Sequence, residues 1–471
     1  MVFSSLNFIY LFLPICLGLY FLMRGMKAKN ILLLIMSLLF YAWGEPVWVI
    51  LLIFSAVVDY TNGLIIEKHR NQWQAKAALV ASLIINLSML GVFKYSGFFV
   101  ENINAVLGTG IPVPTFNLPI GISFYTFQTI SYTVDVYRDE VKVQHSFANF
   151  LLFVSLFPQL IAGPILRYAD IDEQIDNRRT TLQGFSAGIT RFMAGLGKKV
   201  LLANLAGEIT TNLIGSDLAG LSVVGAWTGI FFYAMQIYFD FSGYSDMAIG
   251  LGKMFGFTYV ENFNFPYISK SITEFWRRWH ITLSSFFRDY LYIPLGGNRS
   301  HFVRNMFIVW LLTGFWHGAS WNFILWGLYY FVFLMLEKLF FHKVLDRLPS
   351  IFGHIYSILI MLVGWVFFYF DDMSRLGHML KLMFGISGQP FILSTDTLLL
   401  RNNILLIILL VIACIPVSVL VKKLLAYVAQ RGKVANTAVG LVTVVYNVAM
   451  LFICTAALVG SSYNPFLYFR F

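Results

Sequence analysis

The chain has 471 residues, of which 58% are hydrophobic, 17% aromatic and only 12% charged. Soluble domains carry about a quarter charged residues, so this composition excludes an ordinary soluble fold. At about 20 residues per bilayer crossing, the apolar share suffices for ten or more spans. The net charge is +10, but the basic residues sit in short loops between apolar runs, which points to membrane topology rather than to nucleic acid. Unbroken apolar runs such as 404–415 lack period-two alternation and exclude a transmembrane β-barrel. The predicted fold class is an all-α polytopic membrane protein.

The first run covers 6–23. No Lys or Arg precedes Arg24, so it reads as a retained span rather than a cleaved signal. Three more spans follow at 30–43, 46–66 and 77–99. Arg24, Lys27 and Lys29 follow the first, and Lys68, Arg70 and Lys76 follow the third, whereas the Gly44-Glu45-Pro46 turn carries no basic residue. That alternation predicts cytoplasmic basic loops and an outside N-terminus. Near the other end, Lys422, Lys423, Arg431 and Lys433 form a basic loop between spans at 403–421 and 434–459. The tail from Ser461 is then expected outside, with Tyr463, Phe466, Tyr468, Phe469 and Phe471 at the headgroup interface. Cys16, Cys414 and Cys454 lie in apolar stretches with no metal-ligand spacing, so they read as small hydrophobes and no metal site is expected.

The middle is irregular. Residues 118–180 and 240–304 mix apolar runs with Pro, Gly, Asn and charge, which predicts re-entrant or interfacial segments covered by protein or lining a cavity. About 11 spans fit the whole pattern. No inverted repeat, flexible linker or low-complexity segment is visible, so 1–471 reads as one integral domain.

Ionisable groups inside hydrocarbon are costly and therefore functional candidates. Of eight histidines, His69, His145, His301, His342, His354 and His378 read as interfacial or solvated. His317 differs, because no Asp, Glu, Lys or Arg occurs from Asn305 to Leu336. Gly314 and Gly318 flank its Phe-Trp-His core and let another backbone or a ligand approach. A buried imidazole is unprotonated at neutral pH and can accept a hydroxyl proton; the alternative is a packing histidine bonded to a carbonyl. In Phe275-Trp276-Arg277-Arg278-Trp279-His280, a continuous helix would put Trp276, Trp279, His280, Leu283 and Phe287 on one face, with Arg277, Arg278 and Arg288 opposite. Six basic and two acidic residues between Lys270 and Arg304 place this stretch at the cytoplasmic side. It is either an interfacial helix held by anionic lipid or the wall of a cavity for an anionic substrate, with arginines for phosphate. Gly296-Gly297-Asn298-Arg299 is either a turn with amides facing an anion or an ordinary turn. Asp240 and Asp246, in the polar insertion 238–246, either pair with these arginines or orient a histidine. No P-loop, dinucleotide fingerprint, zincin motif or Gly-x-Ser-x-Gly elbow is present.

Trp276-Arg277-Arg278-Trp279-His280, Tyr292-Ile293-Pro294-Leu295-Gly296-Gly297 and Phe315-Trp316-His317-Gly318, in that order, resemble the membrane-bound O-acyltransferases, and within them the alginate O-acetyltransferase branch. Gly121–Gln128, Ala162-Gly163-Pro164, Tyr238–Asp246 and Asn464-Pro465-Phe466 extend the resemblance over nearly the whole chain. The resemblance implies a central tunnel with cytoplasmic donor and outer acceptor meeting at a histidine, and a catalytic core over 236–340. His317 takes the catalytic position, as general base, and His280 that of the second histidine. Arg278, Asp240, Asp246, Trp276, Trp316 and Asn298 are the implied substrate-binding or positioning residues. Acetyl-CoA is the implied donor, with no bound cofactor. An extracytoplasmic partner protein is the implied recipient, in acetylation of alginate, peptidoglycan or another envelope glycan. The expected location is the cell membrane, with membrane lipid as surroundings and no nucleic acid. A polytopic transporter or flippase of an envelope precursor is the rival reading, and a non-enzymatic scaffold a third.

Overall fold

The computed structural model describes residues 2–161, 163–460, 463–464 and 466–467. Among them every regular element is helical. Six helices are long and apolar enough to cross a membrane: Met26–Gly44, Val49–Lys68, Trp73–Leu107, Trp321–Leu345, Ser350–Tyr369 and Lys433–Gly460. A seventh results if Ser394–Asn402 and Ile404–Cys414, bent by 63°, count as one. Of the other runs, Val223–Met254 is one continuous helix of 32 residues, which places Asp240 and Asp246 in regular structure rather than in a re-entrant segment, and the rest form shorter helices. Phe8–Leu22 is one of these, and 118–180 breaks into Ile122–Tyr137, Phe147–Ser155, Phe157–Leu160 and Tyr168–Asn177.

Several boundaries differ from expectation: the third span runs Val49–Lys68 rather than 46–66, and the fourth Trp73–Leu107 rather than 77–99, which takes Lys76 into the helix. The second span begins at Met26, not at residue 30, because Gly25 turns the chain with φ 81° and leaves Lys27 and Lys29 inside the helix. The predicted loop around Lys422 and Lys423 is helical, since Val417–Ala429 carries both. Pro416 explains this: lacking an N–H, it ends the helix before it and starts a new one. In the tail, Tyr468, Phe469 and Phe471 lie outside the described residues, as do Ala162 and Pro465 of the recognised motifs.

The chain groups into two units, Met1–Phe192 with Tyr244–Glu261, and Met193–Gly243 with Asn262–Phe471. In the first, Asp59 on Val49–Lys68 accepts hydrogen bonds from Ser82, from Asn86 (2.8 Å) and from Thr133 (3.2 Å). A carboxylate removed from water requires such donors, and these tie three helices together. Also within it, the Arg191 guanidinium lies 2.6 Å from both Asp246 and Glu261.

The second unit is organised around an antiparallel pair, Phe302–His317 and Trp321–Leu336. Their backbones touch at two glycines. A Cβ on Gly314 would lie 2.3 Å from the Phe323 carbonyl oxygen, and one on Gly327 2.3 Å from that of Trp310. Small residues allow such an approach where apolar surroundings give no hydrophobic drive to associate. Gly314 therefore serves a neighbouring backbone rather than a ligand. Gly318 makes room for the Phe323 ring, which a Cβ at this position would meet at 2.3 Å. Trp276, Trp310, Trp326 and Tyr330 fill the space beside the pair, with ring centroids 4.9–6.2 Å apart.

Gly327→Val should lower the thermal stability of the detergent-solubilised protein by about 1–3 kcal/mol, the usual cost of overpacking. Gly440→Ala, whose added Cβ meets nothing within 4 Å, should leave melting unchanged or raise it. Equal melting of the Val variant and the wild type would refute the close-packed crossing.

Candidate active site

The first histidine motif is not one continuous helix. Ile272–Arg278 is capped by Ser271, whose hydroxyl accepts from the Glu274 amide at 3.0 Å. The Glu337 carboxylate satisfies further amides at its start, accepting from Ile272 (2.5 Å) and Thr273 (2.8 Å). The helix stops at Trp279, whose backbone is extended, and His280 adopts φ 44°, ψ 55° before a new helix, Ile281–Phe287. The single-face reading of 276–287 is thereby corrected. A left-handed conformation at a non-glycine residue costs about 1–3 kcal/mol and persists only where surrounding structure enforces it. Here Asn262 enforces it: its carbonyl accepts from the Ile281 amide at 2.9 Å. Its side-chain Oδ1 accepts from the Thr282 amide (3.3 Å) and hydroxyl (2.9 Å) and lies 3.1 Å from His280 Nδ1.

The second motif ends a helix. His317 is the last residue of Phe302–His317, and Gly318 continues in extended conformation with φ −167°. The imidazole is packed edge-to-face by Trp316 (4.9 Å), Trp326 (4.9 Å) and Phe368 (5.1 Å). The Trp316 ring lies 6.3 Å from that of His280.

Both histidines line one small cavity of about 20 Å³, room for about one water-sized group. Trp279, Trp326, Trp365 and Phe368 form much of its wall, and Asp240 is its other ionisable residue. His280 and His317 are 2% and 7% exposed. Burial holds the His280 pKa down to about 3, so this ring is neutral at physiological pH. Its Nε2 and the indole N–H of Trp326 are buried without a hydrogen-bond partner among the described residues.

Asp240 pairs with neither arginine of the motif. Its Oδ1 lies 2.6 Å from the buried Lys199 ammonium, and its Oδ2 accepts from the Leu467 amide at 2.8 Å. Phe466 and Leu467 of the tail thus line the histidine cavity instead of standing at a headgroup interface. Lys199 and Asn262 are the residues that sequence reading missed. A lysine beside an apolar stretch is the one signal for the first, because a buried carboxylate requires a cation. Nothing local marks Asn262.

The remaining candidates are distributed elsewhere. Asp246 is engaged by Arg191 in the first unit. Arg278 pairs with Glu274 at 2.8 Å and donates to the Asn264 carbonyl at 3.1 Å. Trp276 belongs to the aromatic packing beside the glycine crossing. Trp316 touches His317 directly. The Gly296 and Gly297 amides bond back to Ile293 (3.0 Å) and Tyr292 (2.9 Å), so they close a turn and are not free for an anion. Asn298 accepts from Tyr292 (2.9 Å) and Lys338 (2.7 Å) on the rim of a second, larger cavity of about 730 Å³. Lys270, Arg277 and Lys338 line that cavity, and none of them forms a salt bridge among the described residues.

A convergent histidine pair in an aromatic, water-poor cavity suits proton transfer to and from a substrate, with little room for bulk solvent. The sequence profile of the membrane-bound O-acyltransferase family matches residues 33–370. The chain is 43% identical to the probable alginate O-acetylase AlgI of Pseudomonas aeruginosa, over 82% of this chain and 75% of that protein. It is 36% identical to the peptidoglycan O-acetyltransferase of Helicobacter pylori, over 82% and 80%. It is 30% identical to the teichoic acid D-alanyltransferase of Bacillus subtilis, over 49% and 62%. With both histidine motifs inside the matched region, the chain belongs to the membrane-bound O-acyltransferase family and is a helical membrane acyltransferase.

Proposed function

We propose that the protein moves an acetyl group from cytoplasmic acetyl-CoA across the cell membrane for O-acetylation of an extracytoplasmic polysaccharide, with alginate and peptidoglycan as the glycans suggested by its relatives. The observation that carries this reading is the meeting of His280 and His317 at one buried, aromatic-walled cavity. In the proposed step His317 takes the proton of an attacking hydroxyl. The new oxygen–carbon bond forms as the carbon–sulfur bond of the thioester breaks, and the departing thiolate takes up that proton. The Trp326 indole N–H is a donor available to the oxyanion formed on the way. Lys199 and Asp240 supply a neutral, fixed ion pair at the cavity edge.

The larger cavity is the proposed entry for the donor. Lys270, Arg277 and Lys338 offer cations to phosphate there, while Glu274 and Asp346 are engaged by Arg278 and His342. The basic loops support a cytoplasmic position for this face, with both termini outside. An extracytoplasmic protein that receives the acetyl group completes the proposed pathway.

His317→Ala in normally inserted protein should lower acetyl release from labelled acetyl-CoA by about 10²–10⁴-fold, the span of general acid–base catalysis. Undiminished release would refute its assignment as base. Lys338→Glu should raise KM for acetyl-CoA by about 10–100-fold, the equivalent of one charge-assisted hydrogen bond, with kcat little changed. An unchanged KM would remove this cavity from the donor path.

A further inference from the structure

Asn262 does more than shape the backbone at His280. Its side chain is fully buried, and the atom it turns toward Thr282 faces a backbone amide at 3.3 Å. A backbone N–H can only donate, so that atom is the carboxamide oxygen and not its nitrogen. The same oxygen lies 3.1 Å from His280 Nδ1. An oxygen with lone pairs requires a hydrogen on the facing nitrogen. A neutral imidazole carries a single N–H, so placing it on Nδ1 leaves the Nε2 lone pair bare. Nε2 has no hydrogen-bond partner among the described residues, and its ring lines the cavity together with His317.

We infer that Asn262 is a positioning residue that fixes His280 in the Nδ1–H tautomer, presenting Nε2 to the cavity as a hydrogen-bond acceptor. The inference rests on the proposed acyl-transfer reading for its role, but the tautomer itself follows from the hydrogen-bond geometry. Rigid packing supports it: the Phe241 ring stands edge-on to His280 at 4.7 Å, so the imidazole is held from a second side. The ionisable groups that line the cavity with it are His317 and Asp240, the latter paired with Lys199. In this neutral state Nε2 carries no hydrogen to give the leaving thiolate. It accepts a hydrogen bond, while the proton of the attacking hydroxyl goes to His317.

The test uses the full chain in nanodiscs, labelled with ¹⁵N-histidine, the His280 signals being assigned by their loss in His280→Gln. The expected result is an Nδ1 shift in the N–H range and an Nε2 shift in the bare-nitrogen range at neutral pH. Asn262→Leu should mix the two tautomers and lower kcat on the order of 10²-fold, with KM for the donor little changed. Asn262→Asp keeps an acceptor, so it should restore the Nδ1–H signature and most of the rate. Its added charge should move the acid limb of the pH–rate profile to higher pH. A wild-type spectrum with the hydrogen on Nε2 overturns the inference, whether or not Asn262→Leu folds. An unaltered tautomer and rate in a folded Asn262→Leu also overturns it. The expected spectrum in a protein that transfers no acyl group would uphold the tautomer and refute the acyl-transfer reading.

Discussion

Desolvation of charge governs this protein more than any single packing contact. Three of the buried carboxylates meet this cost in different ways. Asp59 takes neutral donors from two neighbouring helices, Asp246 takes a guanidinium, and Asp240 takes an ammonium. Removing one partner of such a pair leaves a charge stranded, which costs about 3–5 kcal/mol. These groups are therefore structural commitments as much as chemical ones. Their partners explain why two acidic residues on one helix, Asp240 and Asp246 of Val223–Met254, end in different roles. Asp240 lines the histidine cavity and holds the tail amide of Leu467; Asp246 stabilises helix packing within the other unit.

The histidines obey the same constraint differently. An imidazole avoids the cost of burial by staying neutral, and His280 does so with its pKa depressed to about 3. A neutral ring can leave one nitrogen without a partner at less cost than a charged group, as His280 does with Nε2. The strained backbone at His280, φ 44°, belongs to the same arrangement. It breaks the helix so that the ring turns to the cavity, whereas an unbroken helix would carry Arg277, Arg278 and His280 around one cylinder.

Much of this is legible in the sequence, and the gaps have physical causes. The membrane class follows from composition, and His317 stands out because its surroundings are uncharged. The motif marks His280 but not its geometry, because helical periodicity says nothing about a residue forced into the left-handed region by a distant side chain. A close approach at Gly314 is foreseeable in kind; only the folded chain identifies the Phe323 carbonyl as what approaches. Lys199 and Asn262 escape sequence reading for one reason. Each matters through a partner far along the chain, Asp240 for the first and His280 for the second, and no local pattern records such a pairing. The expected number of spans does not appear as long helices where Pro and Gly divide apolar runs, as at Pro416.

The two histidines are not interchangeable. His280 has both a hydrogen fixed by Asn262 and a ring whose burial opposes protonation. His317 closes its helix, with aromatic rings on three sides. Acyl transfer from a thioester to a hydroxyl needs one group that can both take a proton and give it back, because the hydroxyl loses one and the thiolate gains one. A ring that resists protonation is poorly suited to that double role and well suited to orienting the ring that performs it. Both rings are buried; they differ in position, His317 closing a helix and His280 standing at a break held by Asn262, and the proposed mechanism assigns the cycling proton to the first and the fixed acceptor to the second.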